Sequence, residues 1–178
     1  RMAALNAMAS LGDESVIQLL AARTVQGEPL EQSAAQNSLV SLVGDRANSE
    51  IVIQLKESPP AQQVVLIEAL AKRQAVEAAP ALLTLTQSDT PAVRTASLAA
   101  LGELGSRDQI AALAERLIHD TSLQDLTGQA LTQIAHRTGE TQDASRKLLE
   151  GLKTAETRPL RKTLLYTLGQ LKDDSALE

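Results

Sequence analysis

The sequence predicts an all-α fold, a single array over residues 1–178 of about five stacked two-helix repeats. Three observations carry this reading. The chain has one Tyr, no Phe and no Trp, so its core must come from Leu, Ala, Val and Ile, which suits closely packed helices better than a β-sandwich or barrel. Four prolines, Pro29, Pro60, Pro91 and Pro159, stand before apolar helix-like segments at separations of 31, 31 and 68 residues, the last being twice 34. Helix ends recur in phase with them, at Leu11-Gly12, Val43-Gly44, Arg73-Gln74, Leu104-Gly105, Ile134-Ala135 and Leu171-Lys172. Three residues before each end stand Met8, Val40, Leu70, Leu101, Leu131 and Leu168. Two independent series that agree in phase define a repeat.

Each period divides into two helices. Proline is tolerated at the first helical position because its missing N–H would be unpaired there anyway, and Thr90 offers a capping oxygen ahead of Pro91. After Pro91, the spacing of Val93, Ser97, Ala100, Leu101 and Leu104 makes one apolar helix face. After Gly105 a second stripe follows, Ile110, Leu113, Leu117 and Ile118. Its counterparts are Ile17 and Ala79 at the first position, and Leu20, Val52 and Leu82 at the next. Asp13, Asp45 and Asp173 lie just past helix ends, placed to cap the helix that follows. The long step from Ile134 to Leu171 implies an inserted loop at Thr138 to Ala144. A hairpin this short buries a few aliphatic side chains worth about 1.5–3 kcal/mol each, against about 1–2 kcal/mol of backbone entropy per ordered residue. One repeat cannot stand alone, and stacking turns each exposed flank into core.

Composition narrows the function. The chain is 43% hydrophobic and 22% charged with net charge −5, a balance opposed to the phosphate neutralisation that nucleic-acid binding requires. There is no cysteine, which excludes disulfides and thiolate metal sites and leaves the compartment open. No apolar run approaches the length of a membrane span. Arg1 falls inside a helix pattern and Asp173 to Glu178 reads as the opening of another repeat. A segment of a longer protein is therefore expected, with uncapped ends prone to self-association.

Thr90-Pro91-Ala92-Val93-Arg94-Thr95-Ala96-Ser97-Leu98-Ala99-Ala100-Leu101-Gly102-Glu103-Leu104-Gly105 resembles the second helix of the short bacterial HEAT repeats named after phycobilisome lyases. Arg1, Arg94 and Arg161 occupy the recurrent arginine slot of that pattern, with Ser33, Gln63 and Gln124 in the other copies. The resemblance implies a right-handed α-α superhelix whose successive second helices form a concave, partner-holding surface. Tetratricopeptide repeats rely on recurring aromatic residues that this chain lacks, and ankyrin repeats carry a Thr-Pro-Leu-His signature where Thr90-Pro91 is followed by Ala92-Val93.

Motifs for chemistry are missing. There is no Gly-rich phosphate loop, nucleophile elbow, H-E-x-x-H or calcium loop. His119 follows Glu115 by four residues, but a lone pair of ligands on a helix end reads as a solvated terminus, as does His136 beside Arg137. The paired His-Glu steps of HEAT-repeat hydroxylases have no counterpart. HEAT-like DNA glycosylases use aromatic platforms and a basic groove, which one Tyr cannot supply. The most basic stretch, Arg137 to Lys172, is interleaved with Glu140, Asp143, Glu150 and Glu156 and reads as a mixed solvated face. No cofactor or metal is expected.

The remaining candidate is the outward face of the second helices. Asn6, Ser38, Glu68, Ala99, Gln129 and Tyr166 lie five residues before their helix ends, and Lys72, Glu103, Gln133, Lys162 and Gln170 lie in neighbouring rows. Leu5, Ile67, Leu98 and Leu165 border this face as flank packing. The expected function is a non-catalytic scaffold or spacer that takes a protein or peptide partner. The alternatives are a bilin lyase or isomerase-like enzyme and a nucleic-acid-binding protein.

Overall fold

The computed structural model describes residues 14–44 and 46–173. Among them are ten α-helices and no strand: α1 (Glu14–Gln26), α2 (Pro29–Ser41), α3 (Ala47–Glu57), α4 (Pro60–Lys72), α5 (Ala79–Leu85), α6 (Pro91–Leu104), α7 (Ile110–His119), α8 (Gln124–Thr138), α9 (Thr141–Thr154) and α10 (Arg158–Leu171). Short 3-10 turns, Val76–Ala78 and Arg107–Gln109, lead into α5 and α7. Helices α2, α4 and α6 start on the periodic prolines themselves, and Pro159 occupies the first turn of α10.

The helices group into two compact units, Arg1–Ala100 and Leu101–Glu178, divided within α6. In the first, α1 packs on α2 and α3, and α4 packs on α1, α2 and α3. In the second, α7 packs on α8 and α9, and α10 packs on α8 and α9. Each unit is thus a pile of hairpins with first helices against first helices and second against second, the construction of an α-α solenoid. The expected stripe of α6, Val93, Ser97, Ala100, Leu101 and Leu104, is buried along its whole length, and so are Ile110, Leu113 and Leu117 of α7.

One hairpin departs from the sequence reading by a single residue. In α2 the buried positions are Ala34, Ala35, Ser38 and Leu39; Leu42 is 4% exposed whereas Val43 is 67% exposed. The core position at the end of α2 therefore belongs to Leu42, not Val43. The buried leucine is Leu39 where Val40 was expected, and on α3 Ile51 takes the place given to Val52. The cause is local: Leu39-Val40, Leu42-Val43 and Ile51-Val52 are adjacent apolar pairs, and a one-residue slip turns a helix by only 100°. Gly44, at a φ of 126°, shapes the loop beyond the helix instead of ending it.

A second departure concerns the long step. Helix α8 runs past Ile134-Ala135 to Thr138 and closes on Gly139, at a φ of 76° that glycine adopts freely. Helix α9 begins at Thr141. The expected insertion at Thr138 to Ala144 is a short link between two lengthened helices. Caps also differ. Asp13 and Asp45 lie outside the described residues, together with Arg1, Leu5, Asn6, Met8 and Leu11-Gly12. Caps among the described residues include Ser106, which forms a capping box with Gln109 ahead of α7, and Thr157, whose hydroxyl accepts from the Leu160 N–H at 3.4 Å at the start of α10.

With the register corrected, the arginine slot acquires a physical role in every described repeat. Gln32 donates to the Gly27 carbonyl at 2.9 Å and Gln63 to Leu55 at 3.1 Å. Arg94 donates to Ser88 at 3.3 Å, Gln124 to Leu117 at 3.2 Å and Arg161 to Ala155 at 2.8 Å. Each long N–H-bearing side chain reaches from the second helix to a carbonyl in or just past the last turn of the first, where orphan acceptors accumulate. Ser33, expected in this slot, bonds the Pro29 carbonyl of its own helix instead. Glutamine and arginine are interchangeable here because the slot demands reach and a donor, not charge.

Candidate functional site

The face offered by the second helices is present on each unit, with one correction. Ser38 is 2% exposed and donates to the Ala34 carbonyl at 2.9 Å. The one-residue shift in α2 buries it and turns Asn37 outward. Asn6 lies outside the described residues. Glu68, Lys72, Ala99, Glu103, Gln129, Gln133, Lys162, Tyr166 and Gln170 are all exposed. Of the bordering residues, Ile67 and Leu98 are buried as flank packing, but Leu165 is 57% exposed.

On the second unit, α8 and α10 form the walls of a groove of about 320 Å³ lined by Asp125, Gln129, Gln133, Thr163, Tyr166 and Gln170. Gln129 with Gln133, and Tyr166 with Gln170, are spaced four apart and so share a face on their respective helices. The floor is set by close approach. A Cβ on Gly128 would lie 2.8 Å from Thr167 Oγ1, and one on Gly102 would collide with the Gln133 carboxamide. Glycine at these two places lets α8 and α10 touch and gives Gln133 a seat. Thr132 and Thr167 spend their hydroxyl protons on the Gly128 and Thr163 carbonyls, at 2.8 and 2.9 Å. Sequence reasoning named four of the lining residues and missed Asp125, Gly128, Thr132, Thr163 and Thr167, which lie in rows beside the outward one and carry no periodic signal of their own.

Side chains near the end of α8 tie it to neighbouring second helices. Arg137 donates to the Gly102 carbonyl at 3.5 Å and to that of Gly105, and His136 Nε2 lies 2.9 Å from the Gln170 carbonyl. His136 is therefore engaged at the end of α10 and is not merely solvated. Arg73 plays the corresponding part in the first unit, donating to Leu39, Val40 and Leu42 carbonyls at 3.3, 2.7 and 2.9 Å and to Asn48 Oδ1 at 2.6 Å. Asn48 in turn donates to Glu77 at 2.7 Å. Burial pulls the Arg73 pKa down from its ordinary value, with Glu77 opposing. The Glu77 carboxyl is held below the usual range, first by a backbone N–H and then by Asn48.

Other candidates stay dispersed. Glu115 and His119 are exposed on α7, and among the described residues no three His, Cys, Asp or Glu side chains gather as a metal site. In the basic stretch Arg146 pairs with Asp143, while Arg137 and Arg161 are committed to carbonyls. Among the described residues no helix is long and apolar enough to cross a membrane.

Residues 48–135 match the family model described as HEAT repeats. No curated protein matches the chain.

Proposed function

We propose that the protein is a non-catalytic interaction scaffold and that the groove between α8 and α10 receives a segment of a protein partner. The observation that carries this is a lining of unengaged polar side chains. The carboxamides of Gln129, Gln133 and Gln170 border one groove and have no hydrogen-bond partner among the described residues. A carboxamide both donates and accepts, so it complements any backbone segment without demanding a sequence. HEAT repeats commonly hold proteins on this face, which favours the same reading by analogy. The likeness of residues 90–105 to phycobilisome-lyase repeats points to a bacterial source. Bilin chemistry is not part of the proposal, because the groove brings one aromatic ring and no set of convergent charges to a tetrapyrrole. Nucleic acid is not part of it either, since the sole ionisable group on the lining at neutral pH is a carboxylate.

The test is photo-crosslinking in the full-length protein. A photoreactive residue in place of Tyr166 is expected to yield a discrete protein adduct that the bulky variant Thr163→Trp abolishes. The same probe at Glu115, on α7, is expected to yield none of it. An adduct equally strong from Glu115, or unaffected by Thr163→Trp, contradicts the proposal.

A further inference from the structure

Asp125 is the one carboxylate on the groove lining. It is exposed and has no ion-pair or hydrogen-bond partner among the described residues. It stands in the first turn of α8, where the helix dipole favours a negative group. Lys162 stands in the corresponding row on α10 but is not on the lining. The groove is therefore neutral except at the end where Asp125 sits. One helical turn further in, Gln129 faces the wall that carries Tyr166, a residue 66% exposed.

Length matches chemistry. From Asp125 to Gln133 the groove follows α8 for eight residues, about 12 Å at 1.5 Å per residue. An extended chain covers that distance in about four residues. Resting on the reading of the groove as a peptide site, we propose that it takes a short extended segment with one basic side chain. The lysine or arginine head lies on Asp125, its alkyl stem crosses the Tyr166 ring, and the backbone runs over Gln129, Gln133 and Gln170. A cation beside a carboxylate and an aromatic face is attracted by both. An acidic side chain at the same place would meet the Asp125 charge with nothing on the lining to offset it.

The experiment titrates isotope-labelled protein with two acetylated, amidated heptapeptides of Ser and Ala, one with a central Arg and one with a central Glu, and follows backbone amide resonances. The Arg peptide is expected to shift resonances of residues 125–133 and 163–170 with a Kd about tenfold below that of the Glu peptide. Asp125→Asn should bring the two peptides to nearly equal affinity while the shifts around Gln133 and Gln170 persist. On the unaltered protein the preference should shrink as salt is raised. Equal binding of the two peptides by the unaltered protein, or a preference that survives Asp125→Asn, overturns the basic seat and leaves the peptide reading standing. Absence of groove shifts with either peptide overturns both.

Discussion

On the first unit the carboxamide of Gln36 is taken up by Glu68 at 3.2 Å, one bond that ties two neighbouring second helices together across their outward face. On the second unit the equivalent helices leave Gln129, Gln133 and Gln170 without a partner among the described residues, and Gly128 and Gly102 draw the surrounding elements in beneath them. Both faces are built by the same repeat and are polar and exposed. What separates them is the bond between Gln36 and Glu68, which has no counterpart among the glutamines of the groove. A bound carboxamide adds to the stacking of its own unit, whereas a free one keeps its hydrogen bonds for a visitor, which is the distinction expected between a spacer and a docking surface.

The sharpest way to break this comparison lies in the cores. Leu101→Ala in the second unit and Leu39→Ala in the first are each expected to lower unfolding free energy by about 2–5 kcal/mol in urea titrations. Val40→Ala, its side chain only half-buried, should cost clearly less than Leu39→Ala; the reverse order would restore the register read from the sequence. Next come the cations on the helix ends. Arg73→Ala and Arg137→Ala each strand carbonyl acceptors at a second-helix terminus and should cost about 1–3 kcal/mol. A cost for one without the other would show that the two units are not held alike.

The hairpin slot gives a smaller effect. Gln32→Ala should cost about 0.5–1.5 kcal/mol, and Ser33→Ala, at an exposed position, no more than about 0.5 kcal/mol. Gly102→Ala separates stability from binding: an alanine in a helix interior gains up to about 1 kcal/mol over glycine, yet the added methyl displaces the Gln133 carboxamide, so melting should hold or rise while groove occupancy falls. The smallest effect is the pH dependence through Glu77. Its folded pKa is depressed, so its contribution is present above the ordinary carboxylate value of about 4.3 and is lost as pH falls through the lower folded value. Glu77→Gln should flatten that acid limb of the stability curve slightly, because the group is exposed and screened.

Much of this architecture was legible in the sequence because its cause is periodic. Prolines at first helical positions, and leucines recurring with the repeat, report the helix starts and the core directly. The reading failed by one residue in α2 because Leu39-Val40 and Leu42-Val43 offer two apolar stripes of nearly equal strength, and burial alone chooses between them. Ser38 went astray for that reason, as did the slot assigned to Ser33. The extent of α8 was hidden because residues 135–138 carry a polar helix turn whose end is marked by Gly139 and not by a drop in hydrophobicity. Of the groove, the outward row was visible at 100° per residue. Asp125 and the threonines were not, because their part depends on how closely α8 and α10 approach, which Gly128 decides and no single-helix pattern records.

Hydrogen exchange on the full-length protein, with and without a purified partner, tests the proposed docking surface most directly. Slowed exchange confined to residues 125–133 and 163–170 is the predicted result. Protection centred instead on residues 110–119 and 141–154, the opposite helices of the same unit, would contradict the assignment of the groove.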